Sequence, residues 1–138
     1  MIKPDLVFLR QGKPVAVVEA RARPVPAPFQ DAVRRQLLRY ATATQSPWSI
    51  LVDPDQTMIF RNYEINRPWT ILSTSELLGI TDVRSETIGE RALLQAIARW
   101  VRELPNHREV LSLHPELRDF LKDVSDGLTS TEEWPPKA

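Results

Sequence analysis

Apolar residues concentrate in two short runs near the start of the chain. Residues 5–10 (DLVFLR) and 14–21 (PVAVVEAR) are rich in β-branched side chains, and residues 11–13 separate them. This spacing predicts a β-hairpin. Alternate positions are apolar on both faces: Val7, Leu9, Val15 and Val17 on one, and Leu6, Phe8, Ala16 and Val18 on the other. Because a sheet covered by helices on both sides needs such a pattern, the hairpin predicts an α/β sandwich.

The register of this hairpin decides whether two acidic residues meet. A three-residue loop places Arg10 opposite Pro14. The same register puts Asp5 opposite Glu19, with both carboxylates on one face of the sheet. A two-residue loop would pair Asp5 with Val18 and send Glu19 to the other face, since a one-residue slip inverts every side chain. We expect the first register and therefore a carboxylate pair.

A proline-rich loop, a helix and two strands follow. Residues 22–28 (ARPVPAP) contain three prolines, which neither a helix interior nor an inner strand tolerates. Residues 29–43 predict a helix, because apolar residues recur there at helical spacing. These residues are Phe29, Ala32, Val33, Leu37, Tyr40 and Ala41. Residues 48–53 (WSILVD) predict a buried strand, and residues 57–63 (TMIFRNY) a return strand after a turn.

The last part of the chain predicts helices. Residues 84–104 are amphipathic, and the pattern repeats over residues 109–124, so the two segments predict an antiparallel helix pair. The apolar side of the first segment consists of Leu93, Ile97, Trp100, Val101 and Leu104. Residues 125–138 are polar and predict a loose tail.

The predicted fold class is α/β. A single domain spans residues 1–124, in which a mixed sheet carries a hairpin–helix–strand core over residues 1–63. Residues 64–124 form an extension with two amphipathic helices.

Composition narrows the kinds of chemistry. The chain has 138 residues, 42% of them hydrophobic and 26% charged, as in ordinary globular proteins. It contains no cysteine, which excludes thiol catalysis, disulfides and thiolate metal sites. No apolar run reaches the roughly 18 residues that span a bilayer, and the N-terminus lacks a signal-peptide pattern. We therefore expect a cytoplasmic protein.

Charge is unevenly distributed although the net charge is zero. Residues 1–50 hold eight basic and three acidic side chains, which gives +5, and the remainder of the chain carries −5. A basic N-terminal half permits contact with phosphates. Two oppositely charged halves of one domain are the simpler interpretation.

Several motifs in the first half resemble those of the PD-(D/E)XK nuclease superfamily. Pro4-Asp5, followed after thirteen residues by Glu19-Ala20-Arg21, resembles the signature of that superfamily. The segment from Gln36 to Tyr40 (QLLRY) resembles the Q-x-x-x-Y motif of its RecB-like branch. The hairpin, proline loop, helix and WSILVD strand also occur in the order that the family uses, and the resemblance covers residues 3–63.

This resemblance implies a nuclease that hydrolyses phosphodiester bonds in DNA with Mg²⁺ or Mn²⁺. Asp5 and Glu19 would bind the metal with the Ala20 carbonyl, since Mg²⁺ takes one or two carboxylates together with waters and substrate phosphate. Arg21 stands where the family usually has lysine. A guanidinium cannot act as a base, but it can neutralise charge that develops on phosphate. The alternative is that Asp5 merely begins a strand and Glu19 pairs with Arg21 or Arg23.

The helix supplies most of the remaining candidates. Gln36 and Tyr40 are one turn apart on one face, and the resemblance implies that they contact phosphate or base near the site. Arg23, Arg35 and Arg39 are candidates for contacts with a nucleic-acid backbone. Under the alternative, Gln36 is solvated, Tyr40 is a core aromatic residue, and the arginines form a charged outer face.

The segment before Asp5 differs from the family pattern. Relatives have a helix and a strand there, whereas residues 1–4 alone precede Asp5 in this sequence. We expect an exposed sheet edge beside the first strand, explained by a truncation, a late start codon or a partner chain that completes the sheet. A homodimer is a related expectation. Together with Arg21, this difference supports a second hypothesis, a catalytically inactive nuclease fold kept for nucleic-acid binding or assembly. A third is an unrelated α/β interaction domain.

Overall fold

The fold is a mixed sheet with helices on both faces, as the hairpin pattern predicts. The computed structural model describes residues 4–75, 89–126, 128 and 130–132. Six strands lie in the order β5-β4-β3-β2-β1-β6, in which β2 and β3 are parallel and the other described pairs are antiparallel. The strands are β1 (Leu6–Arg10), β2 (Lys13–Ala20), β3 (Trp48–Val52), β4 (Gln56–Arg61), β5 (Thr70–Ser73) and β6 (Ser130–Glu132).

The helices form the two outer layers. They are α1 (Gln30–Thr44), α2 (Glu90–Glu103), α3 (Arg108–Leu113) and α4 (Leu117–Phe120). Tight turns at Ala27–Phe29 and Leu104–Asn106 precede α1 and follow α2, and a wider π-helical turn over Leu121–Ser125 follows α4. No helix in the described part of the chain is long and apolar enough to cross a membrane.

Each face of the sheet contributes to its own apolar core. On one face α1 covers a cluster formed by Val7, Leu9, Val17, Val33, Leu37, Tyr40, Ala41, Leu51, Met58 and Phe60. On the other face the C-terminal helices cover a second cluster that includes Phe8, Val18, Trp48, Ile50, Leu93, Ile97, Trp100 and Phe120. Since side chains alternate along each strand, β2 contributes Val17 to the core under α1 and Ala16, Val18 and Ala20 to the other core. Glu19 and Arg21 follow Val17 on the α1 side.

The hairpin loop is shorter than predicted, but a bulge restores the expected register. Gln11 and Gly12 form a two-residue turn with φ values of 53° and 77°, as a type I′ turn requires at both central positions. Arg10 therefore pairs with Lys13, and the register then shifts between Phe8 and Leu9. Such a bulge inserts one extra residue into one strand. Phe8 consequently pairs with Ala16, the register that a three-residue loop would have produced.

The extra residue in the bulge is Val15, and its side chain packs on the other face of the sheet from the one predicted. The pairing passes from Pro14 opposite Leu9 to Ala16 opposite Phe8. Val15 packs against the core that contains Phe8, whereas strict alternation placed it with Val17. The prediction for Val15 was wrong because alternation is interrupted at the bulge.

Both edges of the sheet differ from the predictions. The β1 edge, expected to be exposed, pairs with β6 from the C-terminal segment, where Val7 lies opposite Glu132 and Leu9 opposite Ser130. Residues 130–132 are thus a strand rather than part of a loose tail. At the opposite edge, β5 pairs with β4 and was not predicted. The expected homodimer loses the open β1 edge as an argument and stays a prediction.

The second predicted C-terminal helix is interrupted. The segment 109–124 was expected to be continuous, but the chain leaves helical geometry between α3 and α4, at His114 and Pro115. Proline lacks a backbone N–H and clashes with the preceding turn, which explains the break. Leu113 stands at an apolar position of the repeating pattern over residues 109–124, but it is 76% exposed. The first predicted helix is confirmed from Glu90 onward, while residues 84–88 lie outside the described residues.

An aromatic cluster joins β3 to the helices. The Trp48 ring contacts Trp69 and Phe120 edge-to-face, at centroid distances of 6.2 and 5.2 Å. The Arg61 guanidinium lies 5.2 Å from the Trp48 ring and 4.8 Å from the Trp69 ring, and it pairs with Asp119 at 2.9 Å. Cation–π contacts of this kind stabilise a fold by about 0.5–2 kcal/mol. They connect β3 and β4 to the C-terminal helices.

Candidate active site

Asp5 and Glu19 lie together where β1 begins and β2 ends. The Asp5 Oδ2 atom accepts a hydrogen bond of 2.9 Å from the Ala20 backbone N–H. The Asp5 backbone N–H donates to the Val18 carbonyl at 3.0 Å. Asp5 is therefore held from both its backbone and its side chain, and its charge acts directly on Glu19.

Glu19 is a buried carboxylate with one unsatisfied oxygen. The residue is 7% exposed. Its Oε1 lies 3.4 Å from Arg21 Nη2, while its buried Oε2 has no hydrogen-bond partner in the described part of the chain. A buried polar atom without a partner costs free energy, and such atoms concentrate at sites where a ligand or ion completes the set.

A hydrogen-bonded chain connects Glu19 to helix α1. Arg21 Nη2 donates to Gln36 Oε1 at 3.2 Å, and Gln36 Nε2 donates to Tyr40 Oη at 2.6 Å. Gln36 and Tyr40 are four residues apart on the helix face that covers the sheet, so both reach the end of β2. Both side chains therefore lie near the acidic pair, and Gln36 is partly buried. Tyr40 is 4% exposed, so it serves the core as well.

The electrostatics of this cluster favour a proton on Glu19. Burial is the main cause of the rise in the Glu19 pKa from 4.5 to about 7. The neighbouring Asp5 charge adds to the rise, Arg21 opposes it, and Glu90 adds a further increase. Burial and the charge of Glu19 also raise the pKa of Tyr40 above its ordinary value of 10.0. A cation beside Glu19 would remove both the repulsion and the unsatisfied acceptor.

The three arginines predicted to contact a nucleic-acid backbone lie on the surface, outside the acidic cluster. Arg23 is exposed in the proline loop, close to Arg21 in sequence and in space. Arg35 and Arg39 are exposed on α1, and within the described residues they make no hydrogen bond or ion pair. Their side chains are free to meet a polyanion, but the fold does not draw them into the cluster.

Two residues near the site were missed by sequence analysis. Glu90, in the first turn of α2, is close enough to raise the Glu19 pKa. No sequence signal connects positions so far apart, since the packing of α2 on the sheet brings them together. Phe29 was assigned to the buried face of the helix, but it ends a tight turn before α1 and is 61% exposed. Ala32, assigned to the same face, is exposed as well.

The donor set resembles what a hard divalent cation needs but is small. Asp5 and Glu19 supply carboxylate oxygens, and the Ala20 carbonyl is the third oxygen that the family resemblance implies. Among residues 4–75, 89–126, 128 and 130–132, no group of three or more His, Cys, Asp or Glu side chains is arranged to hold a metal ion. Mg²⁺ commonly keeps several waters and binds one or two carboxylates plus a substrate phosphate, so two carboxylates fit that cation.

Comparison of the chain with protein-family models, with curated proteins and with solved structures gives no match. The assignment to a family therefore depends on the motifs and the geometry of this chain alone.

Proposed function

We propose that this protein is a metal-dependent nuclease of the PD-(D/E)XK type that hydrolyses phosphodiester bonds in DNA. The observation that carries the proposal is the buried Glu19 carboxylate, which has an unsatisfied oxygen, stands beside Asp5 and is linked through Arg21 to Gln36. Structural ion pairs usually satisfy both carboxylate oxygens. A half-satisfied carboxylate beside a second one suits the binding of a cation.

The residues present fit Mg²⁺ or Mn²⁺. Asp5 keeps Oδ1 for a ligand, because Oδ2 accepts the Ala20 N–H. Glu19 Oε2 is a second oxygen without a partner among the described residues. When bound, the cation supplies Lewis-acid polarisation of the phosphate and lowers the pKa of an attacking water.

The other side chains orient substrate charge. Arg21 presents a permanent positive charge beside the two carboxylates, which suits it to bind a phosphate oxygen. Gln36 holds Arg21 by the 3.2 Å hydrogen bond, and Tyr40 in turn holds Gln36. Gln36 and Tyr40 therefore act as positioning residues for the guanidinium. Arg35 and Arg39 extend the positive surface along α1.

A cleavage assay tests the proposal directly. Supercoiled and single-stranded DNA are incubated with Mg²⁺, Mn²⁺ or EDTA and with wild-type protein, Asp5→Asn or Glu19→Gln. The control is Glu109→Gln, which removes an exposed carboxylate on α3. We expect metal-dependent cutting by the wild type and the control, and at least a roughly hundredfold loss in both site variants, as for other groups that stabilise charge in the transition state. Equal cutting by all four proteins, or none by the wild type, would refute the nuclease assignment.

The Arg21–Glu19 contact favours a second candidate function. At 3.4 Å the guanidinium already partly neutralises the carboxylate, and it cannot serve as a general base. The same fold without catalysis would be a nucleic-acid-binding or assembly module. In that case the wild type binds DNA without cutting it, and Asp5→Ala binds as tightly as the wild type. Loss of binding in Asp5→Ala with the fold intact would contradict this candidate.

Cytoplasmic location is part of the proposal and follows from the sequence expectations alone.

A pull-down of differently tagged copies tests the predicted homodimer, for which the described contacts provide no evidence.

A further inference from the structure

A pocket of about 420 Å³ opens beside the candidate active site. Its walls come from the end of β2, the proline loop, the first turn of α1 and the start of α2. Arg21 belongs both to this lining and to the acidic cluster, so the two sites share a wall. The volume lies within the roughly 300–1,000 Å³ typical of sites that hold small organic groups.

One wall is an aromatic ring that the fold leaves uncovered. Phe29 is 61% exposed at the pocket, next to Pro26 and Val25. If α1 extended back to Phe29, the apolar spacing would place this ring on the buried face of the helix. Phe29 instead ends the tight turn Ala27–Phe29, and α1 begins only at Gln30. An exposed aromatic face flanked by prolines is a rigid surface for stacking, because few torsions must be fixed when a ligand binds.

Contacts of Val25 fix the proline loop that lines the pocket. Gln30 Nε2 donates to the Val25 carbonyl at 3.4 Å, and Val25 packs against the α1 core. The Val25 backbone also lies close enough to the buried Asp53 carboxyl to oppose the rise in the pKa of that group. The proline loop is thereby tied to β3 and α1, so no large rearrangement is needed to form the pocket.

Positive charge lies on the side nearest the acidic cluster. Arg21 has a buried Nε donor without an acceptor, and Arg23 is exposed without a partner in the described part of the chain. Glu90 supplies a negative charge to the lining. A phosphate would be repelled by Glu90 and attracted by the two guanidinium groups, which orients a phosphate-bearing ligand.

We infer that this pocket binds one unpaired nucleotide of a single-stranded nucleic acid, with its base stacked on Phe29 and its phosphate bound by Arg21 and Arg23. Aromatic faces combined with guanidinium groups are the usual means of binding single strands. A base inside a duplex is covered by its neighbours on both faces and cannot stack on a protein ring. The inference rests on the proposed function, since it names the substrate class of the same site: a strand whose unpaired nucleotide adjoins the phosphate to be cut.

Binding without cleavage tests the inference. Fluorescence anisotropy in EDTA compares a labelled single-stranded DNA, the same strand in a duplex, and an RNA of the same sequence. We expect either single strand to bind more tightly than the duplex, and the RNA arm tells which sugar is preferred. Phe29→Ala should weaken single-strand binding roughly ten- to hundredfold and leave duplex binding unchanged. Phe29→Trp should restore it.

Two further variants separate stacking and charge from general effects. Leu113→Ala removes another exposed apolar side chain, on α3, and should bind as the wild type does. Arg23→Gln should reduce the slope of log affinity against log salt by about 0.7, the value for one phosphate contact on a single strand. Melting curves check that each variant is folded, which we expect because Phe29 and Arg23 are exposed.

The outcomes distinguish this inference from the proposed function. Equal affinity for single strand and duplex, or unchanged affinity in Phe29→Ala, would overturn the inference even if metal-dependent cutting is observed. Phe29-dependent binding of single strands without any cutting would support the pocket and refute the nuclease activity.

Discussion

Replacing Glu19 by glutamine tests the energetic cost of the buried carboxylate. Glutamine keeps the shape of the side chain but cannot ionise. The folded protein raises the Glu19 pKa from 4.5 to about 7, so it prefers the protonated acid more than the unfolded chain does. Below the lower value the acid is neutral in both states and costs nothing. Above the higher value it is ionised in both states, and the folded state bears the full penalty.

The size of this penalty follows from the shift. Each pKa unit corresponds to about 1.4 kcal/mol, so a rise from 4.5 to about 7 amounts to about 3 kcal/mol of lost stability above neutrality. The Glu19 side chain is 9% exposed, which leaves little solvent to screen the effect. The wild type should therefore lose about 3 kcal/mol more stability than Glu19→Gln as the pH rises through this interval.

Urea unfolding in EDTA at a series of pH values measures the difference. We expect wild type and Glu19→Gln to be similar in stability at about pH 4, and the variant to be more stable by about 3 kcal/mol at about pH 8. Glu109→Gln is the control, because it removes an exposed carboxylate. Asp53 also has a raised pKa through burial, but it is present in both proteins and cancels. A difference that is the same at both ends of the pH range would show that Glu19 is not held in a desolvated state.

Three further substitutions test other parts of the structure by denaturation. Gly12→Ala should cost about 1 kcal/mol, since φ is 77° and an added Cβ meets no atom within 4 Å; an unchanged midpoint would refute the positive φ. Tyr40→Phe removes the acceptor of the 2.6 Å hydrogen bond from Gln36 and should cost about 1 kcal/mol. The loss in Tyr40→Phe/Gln36→Leu should be smaller than the sum of the two single losses, although Gln36→Leu also removes the bond from Arg21; fully additive losses would show that the two do not interact. Arg61→Lys should lose roughly 0.5–2 kcal/mol, because an ammonium lacks the planar guanidinium that lies near the Trp48 and Trp69 rings; equal stability would indicate that these contacts are energetically neutral.

Local pattern was enough to predict much of the architecture. Apolar residues on both faces of β1 and β2 indicated a sheet covered by helices, which the two separate cores confirm. The prolines of residues 22–28 separated β2 from α1, and the Asp53 side chain forms the expected turn by accepting the N–H groups of Asp55 and Gln56. These features depend on neighbours in sequence, so periodicity and turn chemistry contain the information.

The acidic pair shows how a local error and a tertiary effect can cancel. The loop at Gln11 was predicted one residue too long. A two-residue loop without a bulge would have placed Glu19 on the opposite face of the sheet from Asp5. The bulge at Val15 adds the missing residue within the strand. A bulge is selected by the packing of the sheet on both sides, because the register must keep apolar residues buried, and a single strand sequence does not reveal it.

The sequence by itself therefore determined the elements from β1 to β4, the two-faced sheet, and the residue types of the candidate site: Asp5, Glu19, Arg21, Gln36 and Tyr40. Tertiary structure decided which of them meet and in what environment. It buried Glu19 with no partner for Oε2 among the described residues, brought Glu90 near, left Phe29 uncovered and paired β6 with β1. The physical reason is that burial, desolvation and long-range pairing depend on segments far apart in the chain, whereas propensity and periodicity report only on neighbours.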